Sequence, residues 1–205
     1  MIARAMALWV ALWLSVVFAL PTFGQTLNDL TGRDVSADKL ISVLAPKQSP
    51  PPETTAATRG LGLIEPGCQH FHKDVARGIE LAPKADIAAI TVQFRSGSAA
   101  LTPADKGILN SLGQALSSAA LKPCCFEIQG HTDSIGNAAF NKRLSQKRAE
   151  SVVNFLADHE NVERGRMIPL GLGKSQPIAD NATAGGRAKN RRVQVVNLGY
   201  GSSSP

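Results

Sequence analysis

Two hydrophobic patterns alternate along the carboxy-terminal half of the chain, and this alternation restricts the fold more than any other feature. Ile90, Val92 and Phe94 alternate with polar residues, which is the period of a strand with one buried face. Apolar residues then recur at helical spacing over 108–119, and strand-like and helix-like stretches continue to residue 198. This order predicts an α/β sandwich, a mixed sheet with helices packed on one face. Crossover helices require that some strand pairs are parallel.

Capping and breaking residues mark where these elements begin and end. Thr102, Pro103 and Asp105 predict a helix start, because a hydroxyl cap is followed by proline at the first helical position and by an acid three residues after the cap. The other predicted elements are a strand through Phe126 and Ile128 ended by Gly130, a helix over 137–159, and strands over 167–171 and 193–198.

The first 24 residues predict an export signal. Arg4 is followed by an apolar run over 5–20, which is shorter than the roughly 20 residues that span a bilayer. Small residues at Thr22 and Gly24 suit cleavage after Gly24, and retention as a membrane anchor is the alternative. No cysteine follows the run, as it would in a lipoprotein, so the mode of any membrane association stays open.

The segment between the signal and the predicted domain has two parts. Residues 25–58 combine a helical pattern, too short to fold alone, with a stretch rich in Pro, Ser and Thr that predicts an extended linker. Residues 59–86 have no clear pattern and are interpreted as an irregular lead-in. The domain is therefore predicted at 87–200, with 201–205 as a flexible tail.

The chain has three cysteines, and an exported protein meets an oxidising compartment. Cys68 is expected to pair with Cys124 or Cys125, because a bridge between the two adjacent cysteines would be strained. One thiol is left over in either case. Cys68, His70 and His72 are close enough in sequence to suggest a metal site, but no fourth ligand is evident, so no metal is expected.

The formal net charge of +6 suits an anionic partner such as nucleic acid, a lipid surface or an anionic polymer. Both tryptophans lie in the first segment, and the rest of the chain lacks the aromatic ladder on which single-stranded nucleic acid stacks. Nucleic acid is therefore not expected as a partner.

One arginine lies where the second predicted helix should be apolar. A helical wheel puts Arg148 in the middle of a broad face formed by Phe140, Leu144, Ala149, Val152, Val153, Phe155 and Leu156. A guanidinium keeps its charge, so its burial requires an acceptor, and a carboxylate in a bidentate fork is the best one. Asp133 or a ligand would supply it. A structural ion pair with Asp133 and a side chain that reaches past its neighbours to water are the alternatives.

The triplet His131, Thr132 and Asp133 contains histidine and aspartate, which are residue types found in catalytic triads. No serine or cysteine nucleophile accompanies it in any known triad order, so no catalytic residue is predicted. A cell-wall hydrolase that uses His131 and Asp133 remains an alternative hypothesis.

Four motifs in this half of the chain resemble those of the OmpA-like C-terminal domain family, of the OmpA, MotB and Pal type. They are Gly-His-Thr-Asp at 130–133, Leu-Ser-Gln-Lys-Arg-Ala at 144–149, Gly-Leu-Gly with Gln-Pro-Ile within 171–178, and Gly-Arg-Ala-Lys-Asn-Arg-Arg-Val at 186–193. The resemblance implies an OmpA-like α/β sandwich that binds peptidoglycan non-covalently through its diaminopimelate residue, without a cofactor.

The resemblance also implies roles for individual residues. Asp133 would accept from the ammonium of diaminopimelate, and Arg148 would fork onto the carboxylate on the same carbon. The other residues expected to line the site are Thr132, Asn141, Leu144, Asn190 and Arg191. Arg192 is expected to be structural. After the first strand this chain has Phe94, Arg95 and Ser96, whereas the family often has an acid in the middle position, so the part of that loop in the site is open.

We therefore expect a non-catalytic protein of the periplasm, associated with the outer membrane and cell wall of a Gram-negative-type envelope, that supports envelope integrity by binding peptidoglycan. An envelope scaffold that binds proteins through residues 25–86 is a further alternative.

Overall fold

The computed structural model describes residues 27–29, 35–46, 68–77, 87–90, 92, 94–95 and 97–201. The predicted signal at 1–24, nearly all of the Pro-rich stretch and residues 202–205 of the predicted tail lie outside the described residues. Within the described ranges, no helix is long and apolar enough to cross a membrane.

Five strands and five α-helices make up the described structure. In chain order they are β1 (Leu27–Asp29), α1 (Ala37–Leu44), α2 (Gln69–Ala76), β2 (Ile87–Ile90), α3 (Pro103–Ser117), β3 (Cys124–His131), α4 (Ala138–His159), β4 (Met167–Gly173), α5 (Ala184–Asn190) and β5 (Val193–Tyr200), with a single 3-10 turn at Arg164–Arg166 before β4.

The strands form one mixed sheet in the order β1-β2-β5-β3-β4. β1 is parallel to β2 and β3 is parallel to β4, whereas β5 is antiparallel to both β2 and β3. The central register pairs Phe126 of β3 with Met167 and Asn197 on either side. This arrangement confirms the predicted mixed sheet.

Helices α1, α3 and α4 contribute to the hydrophobic core on one face of this sheet, which confirms the predicted sandwich. The main buried side chains are Leu40 and Leu44 of α1, Leu109, Leu112 and Leu116 of α3, Val152 and Leu156 of α4, and Phe126, Ile128, Val193 and Val195 of the strands. The prediction that Phe140 is buried with them is wrong, since it is 44% exposed. It lies at the margin of the helical face whose buried members include Asn141, Ser145 and Val152.

Local sequence signals correctly predicted where the two long helices, α3 and α4, begin. Thr102 and Asp105 form the predicted capping box: the Thr102 hydroxyl accepts from the Asp105 amide at 3.3 Å, and the Asp105 carboxylate accepts from the Thr102 amide at 2.8 Å. Helix α4 begins after Asn137, whose side chain accepts from the amide of Phe140 at 2.8 Å.

Two glycines let α4 approach the sheet closely. A Cβ on Gly130 of β3 would lie 2.1 Å from the carbonyl oxygen of Ser145, and one on Gly171 of β4 would lie 2.3 Å from the amide nitrogen of Gln146. Only glycine fits at such a close approach between backbones. These two glycines therefore determine how closely α4 packs on β3 and β4.

Several element boundaries differ from the sequence prediction. β2 covers 87–90, and Val92 and Phe94 follow it as buried core residues outside the strand. Gly130 does not end β3, which continues to His131. Residues 27–29 form a strand instead of the start of a helix, and α1 packs into the main core, so this segment belongs to the domain.

The stretch interpreted as an irregular lead-in contains helix α2, which a disulfide joins to the sheet. Cys68 is bonded to Cys125 with a Cα–Cα separation of 5.8 Å, and Cys124 is a free, buried thiol. Cys124 belongs to the core cluster and Cys125 does not, so the bridge lies on the sheet face away from the core helices. His72 adds a hydrogen bond to the Gly165 carbonyl at 3.0 Å. The described residues contain no cluster suited to a metal ion.

Candidate functional site

The candidate site lies where the chain leaves β3, in the loop 132–136. Asp133 is its acidic residue. Its Oδ1 accepts from the amide of Ile135 at 3.1 Å, and its Oδ2 accepts from Nη1 of Arg191 at 2.9 Å. The Asp133 side chain is 14% exposed and that of Arg191 is 32% exposed, so the carboxylate lies deeper than the guanidinium that covers it.

Arg148 is the deepest charged group of the site. Its side chain is 1% exposed, Nε donates to the carbonyl of Ser98 at 3.1 Å, and Nη2 donates to the carbonyl of Arg95 at 3.4 Å. The guanidinium carbon lies 4.9 Å from the centre of the Phe94 ring, in a cation–π contact. Nη1 is buried and has no hydrogen-bond partner among the described residues.

The sequence leaves two candidates for the carboxylate partner of Arg148, namely Asp133 and a ligand. Within the described structure, Asp133 is not that partner. Asp133 pairs with Arg191, so it does not form the structural ion pair with Arg148. A guanidinium that is 1% exposed does not reach past its neighbours to water either. Neutral carbonyls and a ring face hold Arg148 instead, and no carboxylate satisfies its fork.

The three charged groups nevertheless act on one another. Burial, together with the positive charge of Arg191, lowers the pKa of Arg148 to about 10, and the negative charge of Asp133 opposes this fall. Arg148 is therefore still charged at neutral pH. Two guanidiniums against one carboxylate leave an excess positive charge, which suits a ligand that carries a carboxylate.

Thr132 and Asn141 hold the loop that carries Asp133. Both are buried: the Thr132 hydroxyl donates to the Asp133 carbonyl at 3.0 Å, and the Asn141 amide donates to the Ile135 carbonyl at 2.8 Å. Leu144 is half-buried one helical turn before Arg148. Of these three predicted lining residues, Leu144 offers an apolar surface and the other two support the loop from within.

Asn190 lies behind the site. It is fully buried, its oxygen accepts from the amides of Ile178 and Ala179, and its nitrogen donates to the Ala179 carbonyl and to the Asn181 side chain. These bonds hold the 178–181 loop, which makes Asn190 a support for the site. Its contact with a ligand stays a prediction.

Arg192 and His131 are buried neighbours, and the His131 amide donates to the Arg192 carbonyl at 2.9 Å. Arg192 is buried and donates to the Gln176 carbonyl at 3.1 Å and to the side chain of Gln194, in keeping with a structural role. His131 is fully buried, and neither ring nitrogen has a hydrogen-bond partner among the described residues. Burial, aided by the charge of Arg192, lowers the pKa of His131 to about 3.

Sequence reasoning missed the carbonyl acceptors of Arg148, and it also missed Lys174. The lysine donates to the carbonyls of Ser134 and Gly136 at 3.4 and 2.9 Å. Carbonyl acceptors carry no side-chain signature, although Gly97, with φ of 67°, marks a turn at the loop that supplies them.

Comparisons with known proteins find matches to part of the chain. The OmpA family matches residues 93–191. Outer membrane porin F of Pseudomonas aeruginosa is 52% identical over 68 residues, which are 33% of this chain and 19% of that protein. The protein named peptidoglycan-binding protein ArfA of Mycobacterium tuberculosis is 40% identical over 105 residues, which are 51% of this chain and 31% of that protein.

A solved structure shares the fold. The periplasmic domain of Helicobacter pylori MotB aligns with a TM-score of 0.51 at 18% identity, covering 60% of this chain and 81% of that one. The chain spans less than a third of the length of the two relatives above. The family model covers α3, β3, α4, β4 and α5, whereas β2 and the central strand β5 lie outside the matched range. Over residues 93–191 the chain therefore matches the OmpA family.

Proposed function

We propose that the chain is a non-catalytic protein of the cell envelope that binds peptidoglycan through its diaminopimelate residue and so supports envelope integrity. A family relative that is named for peptidoglycan binding supports the polymer as ligand. The expected location is the periplasm, next to the outer membrane and the cell wall. This is where the predicted export signal would deliver the chain.

The observation that carries the proposal is Arg148, a buried cation without a carboxylate. Its Nη1 has no hydrogen-bond partner among the described residues, and the nearby acid Asp133 is paired with Arg191. A buried guanidinium with unused donors is costly unless a ligand satisfies them. The carboxylate of diaminopimelate would complete the fork on Arg148.

Asp133 would receive the ammonium group of the same ligand carbon. Each of its oxygens accepts one hydrogen bond in the structure, from Ile135 and from Arg191. A carboxylate oxygen accepts two, so Asp133 keeps acceptor capacity with Arg191 in place. Arg191 would add positive charge beside the ligand carboxylate, Leu144 would contact the alkyl chain, and Thr132, Asn141 and Asn190 would hold the loops that form the site.

The proposal is tested by co-sedimentation of the purified chain with isolated sacculi. We expect Asp133→Ala and Arg148→Ala to abolish binding, since each removes one half of the grip on the ligand. Asp158→Ala and Arg164→Ala are matched controls, because these residues form an exposed ion pair with each other at 3.2 Å. Sacculus binding by the two site variants equal to that of the parent would refute the proposal.

Two additions make this experiment specific. Asp133→Asn keeps the shape of the side chain, and thermal unfolding of each variant separates lost binding from lost folding. A muropeptide that contains diaminopimelate is expected to release the chain from sacculi, whereas the same muropeptide with lysine in place of diaminopimelate is not, because the side-chain ammonium of that lysine has no neighbouring carboxylate for Arg148. Equal release by both compounds would contradict recognition of diaminopimelate.

The hydrolase alternative gains no support from the site. His131 is fully buried and its pKa is lowered to about 3, so it is not matched to base catalysis near neutral pH. Release of muropeptides from the same sacculi during the co-sedimentation would revive that alternative.

A further inference from the structure

The loop that carries Asp133 extends beyond the end of β3. The position of Asp133 relative to Arg148 therefore depends on the bonds that hold this loop. Its backbone provides several acceptors. Asn141 of α4 satisfies the Ile135 carbonyl, and the side-chain oxygen of Asn181 accepts from the Ser134 amide at 3.1 Å. The carbonyls of Ser134 and Gly136 both accept from the ammonium group of Lys174.

Lys174 is placed for this contact by the residue before it. Gly173, the last residue of β4, has φ of 60°, a conformation that favours glycine. A Cβ at Gly173 would lie 3.2 Å from the amide nitrogen of Lys142, so α4 also restricts this position. The Gly173 carbonyl accepts from the Thr132 amide at 2.9 Å, which joins the end of β4 to the start of the loop. The chain therefore turns at Gly173 and carries Lys174 to the loop.

The ammonium of Lys174 bridges two carbonyls that flank Ile135, whose own amide donates to the Asp133 carboxylate. The same short turn is thus held by the Asp133 carboxylate at the Ile135 amide and by the Lys174 ammonium at the two neighbouring carbonyls. A charged donor strengthens such bonds relative to a neutral one. Without them, the turn keeps, among the described residues, only its bonds to Asp133, Asn141 and Asn181, so we expect it to open more often and Asp133 to be held less firmly.

We propose that Lys174 is a positioning residue for the diaminopimelate site: by binding the carbonyls of Ser134 and Gly136, it holds the turn in which Asp133 faces the ligand. This inference rests on the proposed function for its effect on affinity. Its effect on the loop does not depend on the identity of the ligand.

The test compares Lys174→Met with Lys142→Met in the purified chain. Both lysines line the same cleft of about 570 Å³, but the described structure gives Lys142 no hydrogen bond from its ammonium to the loop. The two variants remove the same charge from the same place. The probe is a purified disaccharide-tripeptide muropeptide that contains diaminopimelate, and amide hydrogen exchange of residues 134–136 is followed by mass spectrometry.

For Lys174→Met we expect faster exchange in the loop and roughly three- to tenfold weaker muropeptide binding, the effect of losing one or two modest hydrogen bonds. Lys142→Met should leave both unchanged, and Lys174→Arg should recover part of the affinity, because arginine also donates to carbonyls. Unchanged exchange in Lys174→Met, or equal weakening of binding by Lys142→Met, would overturn the inference. If the parent chain does not bind the muropeptide, the proposed function fails, and the exchange rates still decide whether Lys174 holds the loop.

Discussion

Arg148 is the residue around which the candidate site is built, because its guanidinium is buried and still charged. Two carbonyls and the Phe94 ring hold it, and the arrangement lacks the carboxylate that such a group normally requires. This arrangement costs stability, and a carboxylate bound to Arg148 would offset that cost. We therefore expect Arg148 to lower the free energy of unfolding of the domain while it contributes to ligand binding.

Arg148→Met tests this exchange. Methionine fills a similar volume without charge, so we expect the free energy of unfolding to rise by about 1 kcal/mol, as is common when a buried charged group is replaced by an apolar side chain. Sacculus binding should be lost in the same variant. Urea denaturation measures the first quantity and co-sedimentation the second, and a loss of more than about 2 kcal/mol would mean that the two carbonyl bonds outweigh the cost of burying the charge.

His131 predicts a pH dependence of stability. Its folded pKa, about 3, lies below the ordinary value of 6.5, so its contribution to stability is complete above pH 6.5 and is lost as the pH falls towards 3. The parent should lose up to about 1.4 kcal/mol per pH unit from this residue across that window. His131→Phe removes the titration, so its unfolding free energy should fall less steeply between pH 6 and 4. Parallel slopes for the two proteins would contradict the prediction.

Local sequence signals predicted α3 and α4, because a helix cap and the helical spacing of apolar residues both depend on residues only a few positions apart. Thr102 and Asp105 form the expected cap of α3. Asn137, expected as the first residue of α4, is the capping residue immediately before it. The helical wheel likewise found Arg148, since its burial follows from the face on which it lies. Its acceptors at Arg95 and Ser98 are backbone atoms about 50 residues away, which no local pattern encodes.

The elements that sequence reasoning missed depend on distant partners. β1 has only three residues and owes its strand geometry to parallel pairing with β2, about 60 residues later. Helix α2 is short and is joined to β3 through Cys125. Such short segments are marginal alone, so tertiary contacts decide their structure.

For the whole molecule, the disulfide joins the segment before β2 to the sheet at the end of β3 opposite to the site. Cys125 is near the start of this strand, whereas Asp133 follows its last residue. Stability and ligand binding are therefore expected to respond separately to loss of the bridge.

Cys68→Ser tests this separation. The bridge closes a loop between residues 57 positions apart, and removing it should lower the free energy of unfolding by about 2–4 kcal/mol. Sacculus binding by the folded variant should be unchanged, because no bond of the Asp133 loop involves α2 among the described residues. Cys124→Ala is the control that keeps the bridge, and intact-mass measurement verifies the thiol count of each protein. Weakened binding by folded Cys68→Ser would show that the lead-in segment and the site are coupled through β3, contrary to this prediction.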